Sequence, residues 1–215
     1  MSYLNYRMLQ QIPSNGLLQG FSLSDIEGLA LENPSLRGYL QGYLAELRLK
    51  ERLLSCPGVS SVSKIPDSSS VKGDFHVEYL GSTLTVEAKS FRSNSAKYDP
   101  LSESWSASVQ CKNPGSRLLN VVGQGLVQAV CVEERRFDVL AICTYPITGQ
   151  WGFLFCPEFF LPRAEKKPGF LQSSFTIDVL NTPGVYTDPV SAFDMALGSC
   201  VKSNAKIEYL ISPYE

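Results

Sequence analysis

The sequence predicts a mixed α/β domain on the basis of three observations. Apolar and polar side chains alternate over Phe75–Tyr79 and again over Leu84–Ala88, which is typical of a β-hairpin. Upstream, residues 42–54 carry apolar side chains at helical spacing. Downstream, Phe137–Tyr145 is continuously apolar, as in a strand buried on both faces. Helix, hairpin and buried strand together indicate a mixed sheet flanked by helices.

The chain has 215 residues and a formal net charge of −2. This length can bury one sizeable core, so we expect a single domain over 1–215, with a core at about 35–160 and N- and C-terminal extensions. The small net charge means that any contact with nucleic acid must come from a local basic patch. Six scattered cysteines and the lack of a signal-peptide core or a membrane-spanning stretch predict a cytoplasmic protein with reduced thiols.

The N-terminal part predicts two helices and an edge strand. Ser24–Glu27 has the spacing of a capping box and should open a short helix that ends near Asn33–Pro34. A longer helix should follow and stop at Cys56–Gly58, with an apolar stripe made of Leu36, Leu40, Tyr43, Leu47 and Leu54. Val59–Ile65 is then predicted as an edge strand that precedes the hairpin.

The hairpin should separate its side chains onto two faces. The apolar face comprises Phe75, Val77, Tyr79, Leu84, Val86 and Ala88, and the polar face comprises Asp74, His76, Glu78, Thr85, Glu87 and Lys89. A turn centred on Leu80-Gly81 places Asp74 opposite Glu87, whereas one centred on Gly81-Ser82 places it opposite Lys89. Both registers bring these three charged groups together on one face.

Two carboxylates beside an ammonium group are suited to a hydrolytic magnesium site. Mg²⁺ takes oxygen ligands and is usually held by one or two carboxylates plus waters and substrate phosphate. Asp74 and Glu87 would supply the carboxylates, and the backbone carbonyl of Ala88 a further oxygen. Lys89 would orient or deprotonate the attacking water, or neutralise charge on the phosphate. The alternative is an ordinary solvated hairpin face, where such side chains are common.

At these residues the chain resembles the PD-(D/E)xK nuclease superfamily, which has the restriction-endonuclease-like fold. Asp74 matches the first acid of the motif, Glu87 the second and Lys89 the lysine; Gly73 stands where many members have proline. The resemblance covers roughly residues 35–145. A literal Pro66-Asp67 lies upstream, in a stretch that has the composition of a loop.

The resemblance implies a divalent-metal-dependent nuclease that hydrolyses DNA phosphodiester bonds, a restriction-type or repair endonuclease more than an exonuclease. Mg²⁺ would be the cofactor, and Mn²⁺ would substitute for it. Members often carry a glutamate on the helix before the hairpin, and Glu46 stands at that place, where it would complete the site or hold a second ion. Cutting both strands with one site per chain would require a homodimer.

Basic and aromatic side chains follow Lys89. We expect Ser90–Trp105 to be a long loop that contacts phosphates and stacks against bases, although a merely hydrophilic loop is the alternative. The basic residues of this region are Arg92, Lys97, Lys112 and Arg117.

The segment Ser116–Val132 is predicted as a helix, although Gly123 and Gly125 weaken it. Gln124 and Gln128 would share one side of that helix and could hydrogen-bond the DNA backbone. The helix would connect the second hairpin strand to Phe137–Tyr145 by a right-handed crossover, which makes those two strands parallel.

The remaining segments predict four further elements. We expect a strand at Gln150–Cys156, hairpinned to the strand before it, and another at Ser174–Leu180. A short helix should span Pro189–Leu197, and a last strand Lys206–Ile211. Arg163–Lys167 is a second small basic cluster.

Several function classes are disfavoured by the sequence. His76 is the only histidine, so nuclease types that need several histidines do not fit. The chain contains neither a Walker-type phosphate loop nor a dinucleotide fingerprint, so no nucleotide cofactor is expected. Two other classes remain as alternatives: a catalytically silent domain of the same fold that binds nucleic acid or protein, and an unrelated α/β protein whose hairpin matches by chance.

Overall fold

The computed structural model describes residues 22–66, 73–121 and 125–198, and only the backbone within 113–130. The chain divides between Tyr43 and Leu44 into two compact units. The division falls inside a helix, and the single domain expected over 1–215 stays a prediction. None of the helices in the described ranges is long and apolar enough to cross a membrane.

Two consecutive helices, α1 (Leu23–Glu32) and α2 (Pro34–Leu54), are joined at Asn33. The Asn33 N–H donates to the Leu29 carbonyl and closes α1, while its side chain accepts from the Leu36 N–H at the start of α2. Pro34 suits the first helical position because a helix leaves that N–H unpaired. The end of α1 and the start of α2 both agree with the predicted boundary near Asn33–Pro34.

The capping box of α1 lies two residues earlier than predicted. The Ser22 hydroxyl accepts from the Asp25 N–H at 3.2 Å, and the Asp25 carboxylate accepts from the Ser22 N–H at 2.7 Å. Ser22 and Asp25 have the same spacing as Ser24 and Glu27, so the pattern fits both pairs. The earlier cap prevails because it adds hydrogen-bonded residues to the helix.

The apolar stripe predicted for α2 is wrong at two of its positions, because Tyr43 and Leu54 are 58% and 50% exposed. The side chains that α2 buries are instead Ala45, Leu49 and Leu53, which form one i, i+4 row. Such a row lies on a single line along the helix, which lets α2 pack closely against a sheet.

The central sheet has five strands in the order β1-β2-β3-β8-β9. These strands are β1 (Val59–Lys64), β2 (Phe75–Tyr79), β3 (Ser82–Ser90), β8 (Val139–Cys143) and β9 (Phe153–Pro157). All neighbours pair antiparallel except β3 and β8, which are parallel. The predicted mixed α/β class is therefore confirmed, as are the edge strand, the hairpin and the central buried strand.

Two hydrophobic cores cover the two faces of this sheet. One core contains Phe75, Val77 and Val86 of the hairpin together with Leu49 and Leu53 of α2 and buried residues of a helix at 189–198, which we call α4. The other core contains Leu140 and Ile142 of β8. Because β8 alternates between the faces, Val139 and Ala141 belong to the first core, and the strand contributes to both.

A second sheet covers the other face of the central sheet. Its order is β10-β5-β4, with β4 at Lys97–Asp99, β5 at Ser104–Gln110 and β10 at Ser174–Asp178. Just after β3, Phe91 bridges to Val109, so the chain passes directly from the central sheet to the second. The long loop expected over Ser90–Trp105 is thus wrong in part, because the β-forming residues of this segment pair with the second sheet.

The helix predicted over Ser116–Val132 is wrong. The backbone forms a hairpin of β6 (Lys112–Val121) and β7 (Gly125–Cys131). Two glycines and several valines disfavour a helix and favour strands, and apolar spacing alone did not separate the two. The connection from β3 to β8 therefore consists of strands, although those two strands are parallel as predicted.

The C-terminal predictions agree with the structure where it describes the chain. Strand β9 follows the short helix α3 (Tyr145–Thr148), β10 occupies most of Ser174–Leu180, and α4 matches the predicted helix. The strand predicted at Lys206–Ile211 lies outside the described residues. Of the literal motif Pro66-Asp67, only Pro66 is among them.

Candidate active site

The turn of the hairpin selects one of the two registers. Leu80 and Gly81 have φ of 48° and 80°, and Tyr79 pairs with Ser82, so a two-residue turn connects the strands. Phe75 pairs with Val86 at the far end. The regular pairing ends there, because the Asp74 N–H donates to the Val86 carbonyl at 2.9 Å. Asp74 and Glu87 are the residues that extend the two strands beyond that last pair, at the open end of the hairpin.

Asp74 is held by hydrogen bonds to the strands on both sides. Its N–H donates to the Val86 carbonyl at 2.9 Å, and its carbonyl accepts from the Ile65 N–H at 2.8 Å. The Ala88 N–H donates to Oδ2 of Asp74 at 2.7 Å, which orients the carboxylate along β3. Gly73 precedes it with φ of +82°, a conformation closed to proline. The backbone thus explains why the proline of the resembled motif is absent here.

Glu87 and Lys89 form an ion pair on the same face. The Lys89 Nζ contacts Oε1 of Glu87, and both side chains are largely buried, at 26% and 15% exposure. Burial alone would lower the pKa of Lys89, but the carboxylates of Glu87 and Asp74 outweigh burial and raise it. Lys89 is therefore a cation at neutral pH, which suits charge neutralisation and water orientation better than proton abstraction.

The surroundings of this pair are apolar. The ladder from Phe91 and Val109 places Lys89 beside Cys111, a fully buried thiol at the end of β5. Burial raises the pKa of Cys111 to about 12, while the Lys89 ammonium partly opposes that rise. A neutral thiol next to the ion pair limits the water around it, and electrostatic interactions are stronger where water is limited.

Glu46 is linked to Asp74 through Lys64, a residue that was not among the predicted site residues. Oε2 of Glu46 lies 2.7 Å from the Nζ of Lys64, and the same Nζ lies 3.7 Å from Oδ1 of Asp74. Lys64 ends β1, where it pairs with Phe75. The prediction of Val59–Ile65 as an edge strand did not specify a pairing, and the antiparallel pairing with β2 is what sets Lys64 near Asp74.

The charged side chains thus form two groups that share Asp74. The core with the α2 residues includes Val86, so Glu87 and Lys89, which alternate with it, lie on the other face of β3. Glu46 belongs to α2 and Lys64 shares the face of Phe75. The structure therefore brings Asp74, Glu87 and Lys89 together, and relates Glu46 to Asp74 by way of Lys64.

The donors at Asp74 and Glu87 fit a hard divalent cation. Among the described residues, no three side chains of His, Cys, Asp or Glu converge as a metal-binding group. Mg²⁺ does not require three, because it commonly uses one or two carboxylates and completes its shell with water and phosphate. Asp74 and Glu87 would supply two carboxylates at the open end of the hairpin, and their roles as ligands, like those of Ala88 and Glu46, stay predictions.

The basic residues predicted to contact nucleic acid are distributed over the second sheet and the β6–β7 hairpin. Arg92, Lys97 and Lys112 are exposed, and Arg92 directly follows β3. The rings of Tyr98 and Trp105 pack at 5.3 Å and are 50% and 40% exposed. Three predicted contacts fall outside what the structure describes. These are Gln124 as a whole and the side chains of Arg117 and Gln128.

Comparison with known proteins finds only a weak structural similarity. No family model matches the chain, and no curated protein matches it. Among solved structures the chain is similar to a bacterial homing endonuclease, I-Ssp6803I, with 17% identity and a TM-score of 0.41, over 78% of this chain and 95% of that one. At this similarity the comparison carries no argument about the site, and the functional conclusion rests on the residues described above.

Proposed function

We propose that this protein is a divalent-metal-dependent nuclease that hydrolyses DNA phosphodiester bonds, with its active site at Asp74, Glu87 and Lys89. The observation that carries the proposal is the ion pair of Glu87 with a buried, protonated Lys89 at the open end of the hairpin, with the Asp74 carboxylate close enough to raise the pKa of Lys89. A solvated hairpin face would leave these side chains exposed and independent of one another. Here Glu87 and Lys89 are largely buried and form an ion pair, and the Asp74 carboxylate accepts from the Ala88 N–H.

Each residue has a defined task in this mechanism. Asp74 and Glu87 would hold Mg²⁺, or Mn²⁺ in its place, and the ion would supply the Lewis acid that activates water and polarises the phosphate. The Ala88 N–H fixes the orientation of the Asp74 carboxylate. The Lys89 ammonium, held on Glu87, positions the attacking water and stabilises the charge that develops on the phosphoryl oxygens.

DNA is the substrate that suits the neighbouring surface. The chain leaves the site through Arg92 and then Lys97, both exposed, with the half-exposed rings of Tyr98 and Trp105 beside them. Arginine and lysine bind phosphates, and exposed aromatic rings stack on bases. Because the net charge is −2, binding would depend on this local patch and would weaken with added salt.

The experiment that tests the proposal measures cleavage of supercoiled plasmid, linear duplex and single-stranded DNA with Mg²⁺ or Mn²⁺ and with EDTA. We expect cleavage that requires the metal and falls by at least about 10³-fold in Asp74→Asn and Lys89→Gln. Glu78→Gln is the matched control, since Glu78 lies on the same hairpin face at the turn end, where it accepts from Thr83.

The products and the controls separate the alternatives. Nicked and linear plasmid would indicate an endonuclease, and loss of linear duplex from its ends an exonuclease. DNA binding without cleavage under any metal condition would contradict the proposal and favour a silent binding domain. Neither cleavage nor binding would favour a chance match of the hairpin.

A further inference from the structure

Lys64 occupies an unusual place among the charged residues. Its ammonium lies between two carboxylates, 2.7 Å from Oε2 of Glu46 and 3.7 Å from Oδ1 of Asp74. The Nζ atom is shielded from solvent and lies 5.5 Å from the centre of the Phe75 ring. The β1–β2 pairing sets Lys64 directly opposite Phe75, so the backbone fixes where this cation sits.

We infer that the Lys64 ammonium, which lies between Glu46 and Asp74, competes with a divalent metal ion for Asp74. This inference rests on the proposed metal-dependent activity. Oδ2 of Asp74 accepts from the Ala88 N–H, so Oδ1 is the oxygen nearest to Lys64. A metal ion at Asp74 and the Lys64 ammonium would carry like charges at one carboxylate.

Glu46 gains a role from this geometry that differs from metal ligation. Because its carboxylate holds the Lys64 ammonium at the shorter distance, it draws that charge away from Asp74. Without Glu46, the attraction that holds the Lys64 ammonium away from Asp74 would be lost, and Lys64 would oppose the metal more strongly. Glu46 therefore favours metal binding through Lys64, from the opposite side of the sheet to Glu87.

The test is Mn²⁺ binding to the full chain by calorimetry, confirmed by the electron paramagnetic resonance signal of free Mn²⁺, without DNA. A unit charge about 4 Å from a carboxylate changes its ion binding by roughly tenfold or more in a partly buried site. We expect Lys64→Met to bind Mn²⁺ about tenfold more tightly than the wild type. We expect Glu46→Gln to bind it more weakly, and the double variant to bind it as tightly as Lys64→Met.

The double variant distinguishes the two roles of Glu46. If Glu46 were a metal ligand, Glu46→Gln would still weaken Mn²⁺ binding in the Lys64→Met background, and our inference would be overturned. Lys64→Gln is the second variant, should Lys64→Met not fold, and the melting temperature of each variant reports folding. Lys64→Arg keeps the charge and should not tighten binding.

The outcomes separate this inference from the proposed function. Mn²⁺ binding by the wild type that is unchanged or weaker in Lys64→Met overturns the role of Lys64 and leaves the metal site standing. Binding by Lys64→Met alone supports the inference, because the competing ammonium is gone. No binding by either protein overturns both proposals.

Discussion

Asp178 illustrates how one carboxylate organises a turn away from the candidate site. Its pKa is lowered to about 2, first by the Ser104 hydroxyl, which donates to it, and next by the side-chain amide of Asn181. The pKa of this group in the unfolded chain is near 3.8. The folded state therefore prefers the charged form, and its stabilising effect is complete above about pH 4 and is lost as the pH falls toward 2.

We accordingly expect Asp178→Asn to lower the melting temperature at pH 7 and to show a smaller further decrease between pH 4 and pH 2 than the wild type. Thermal denaturation followed by circular dichroism over this pH range measures both effects. Ser104→Ala is the companion variant, because it removes the largest cause of the low pKa and leaves the carboxylate in place. An equal decrease of the melting temperature between pH 4 and pH 2 in the wild type and in Asp178→Asn would contradict the assignment.

Gly73 shows how the backbone conformation of one residue sets the position of a catalytic candidate. Its φ of +82° costs most residues about 1–2 kcal/mol, and a Cβ there would lie 3.0 Å from Cγ2 of Thr85 and 3.3 Å from the Val86 carbonyl oxygen. We expect Gly73→Ala to lower the free energy of unfolding by about 1–2 kcal/mol and to reduce cleavage more than it reduces DNA binding. Denaturant titration and single-turnover kinetics would measure these effects, and unchanged kinetics would mean that Asp74 does not depend on this turn.

The hairpin turn has a residue that fits its conformation poorly. Leu80 adopts φ of 48° and is 67% exposed, so its side chain gains little from burial. Asparagine tolerates the left-handed conformation better than leucine. We expect Leu80→Asn to stabilise the protein by about 0.5–1 kcal/mol, which raises the melting temperature by roughly 2 °C. Gly81→Ala, at φ of 80° with no neighbouring atom within 4 Å of the added Cβ, should do the opposite through the backbone alone.

The segment after β3 joins the candidate site to the basic residues of the second sheet. If Arg92 and Lys97 each neutralise one phosphate, their joint replacement by glutamine should reduce the slope of log K against log salt by about 2. Fluorescence anisotropy of a labelled duplex, with Asp74→Asn as the common background to prevent cleavage, measures that slope. Replacing Lys50, a partly buried residue of α2, by glutamine should leave it unchanged. An unaltered slope in the double variant would remove this surface from the DNA interface.

The unit from Leu44 onward is organised around a sheet with a core on each face. Leu49 belongs to the core with α2, and Ile177 to the core with the second sheet, while β8 contributes to both. Because one buried strand links the cores, we expect them to unfold together. Leu49→Ala and Ile177→Ala should each lower the free energy of unfolding by about 2–5 kcal/mol.

Coincident transitions by far-ultraviolet circular dichroism and tryptophan fluorescence would confirm that cooperativity. Leu101→Ala is the control, since Leu101 is 95% exposed and its loss should change the free energy by no more than about 0.5 kcal/mol. Two separate transitions, one lowered by each substitution, would show that the layers unfold independently.

The features that the sequence determined are those recorded in local pattern. The alternation over Phe75–Tyr79 and Leu84–Ala88 specified both faces of the hairpin, and the apolar run around β8 specified burial on both sides. Asn33 and Pro34 marked the boundary between α1 and α2 through their own backbone preferences. These signals depend on neighbours within a few residues, so they can be detected without knowing what packs against them.

The remaining features depended on contacts between segments distant in the chain. The β6–β7 hairpin was mistaken for a helix because its apolar spacing fits both structures. The sequence left two turns of the hairpin open, and only the pairing of Tyr79 with Ser82 separated them. Lys64 became part of the site only because β1 pairs with β2 and α2 brings Glu46 above it. A sequence pattern lists charged groups, but their mutual distances, and hence their electrostatic coupling, are set when the layers pack.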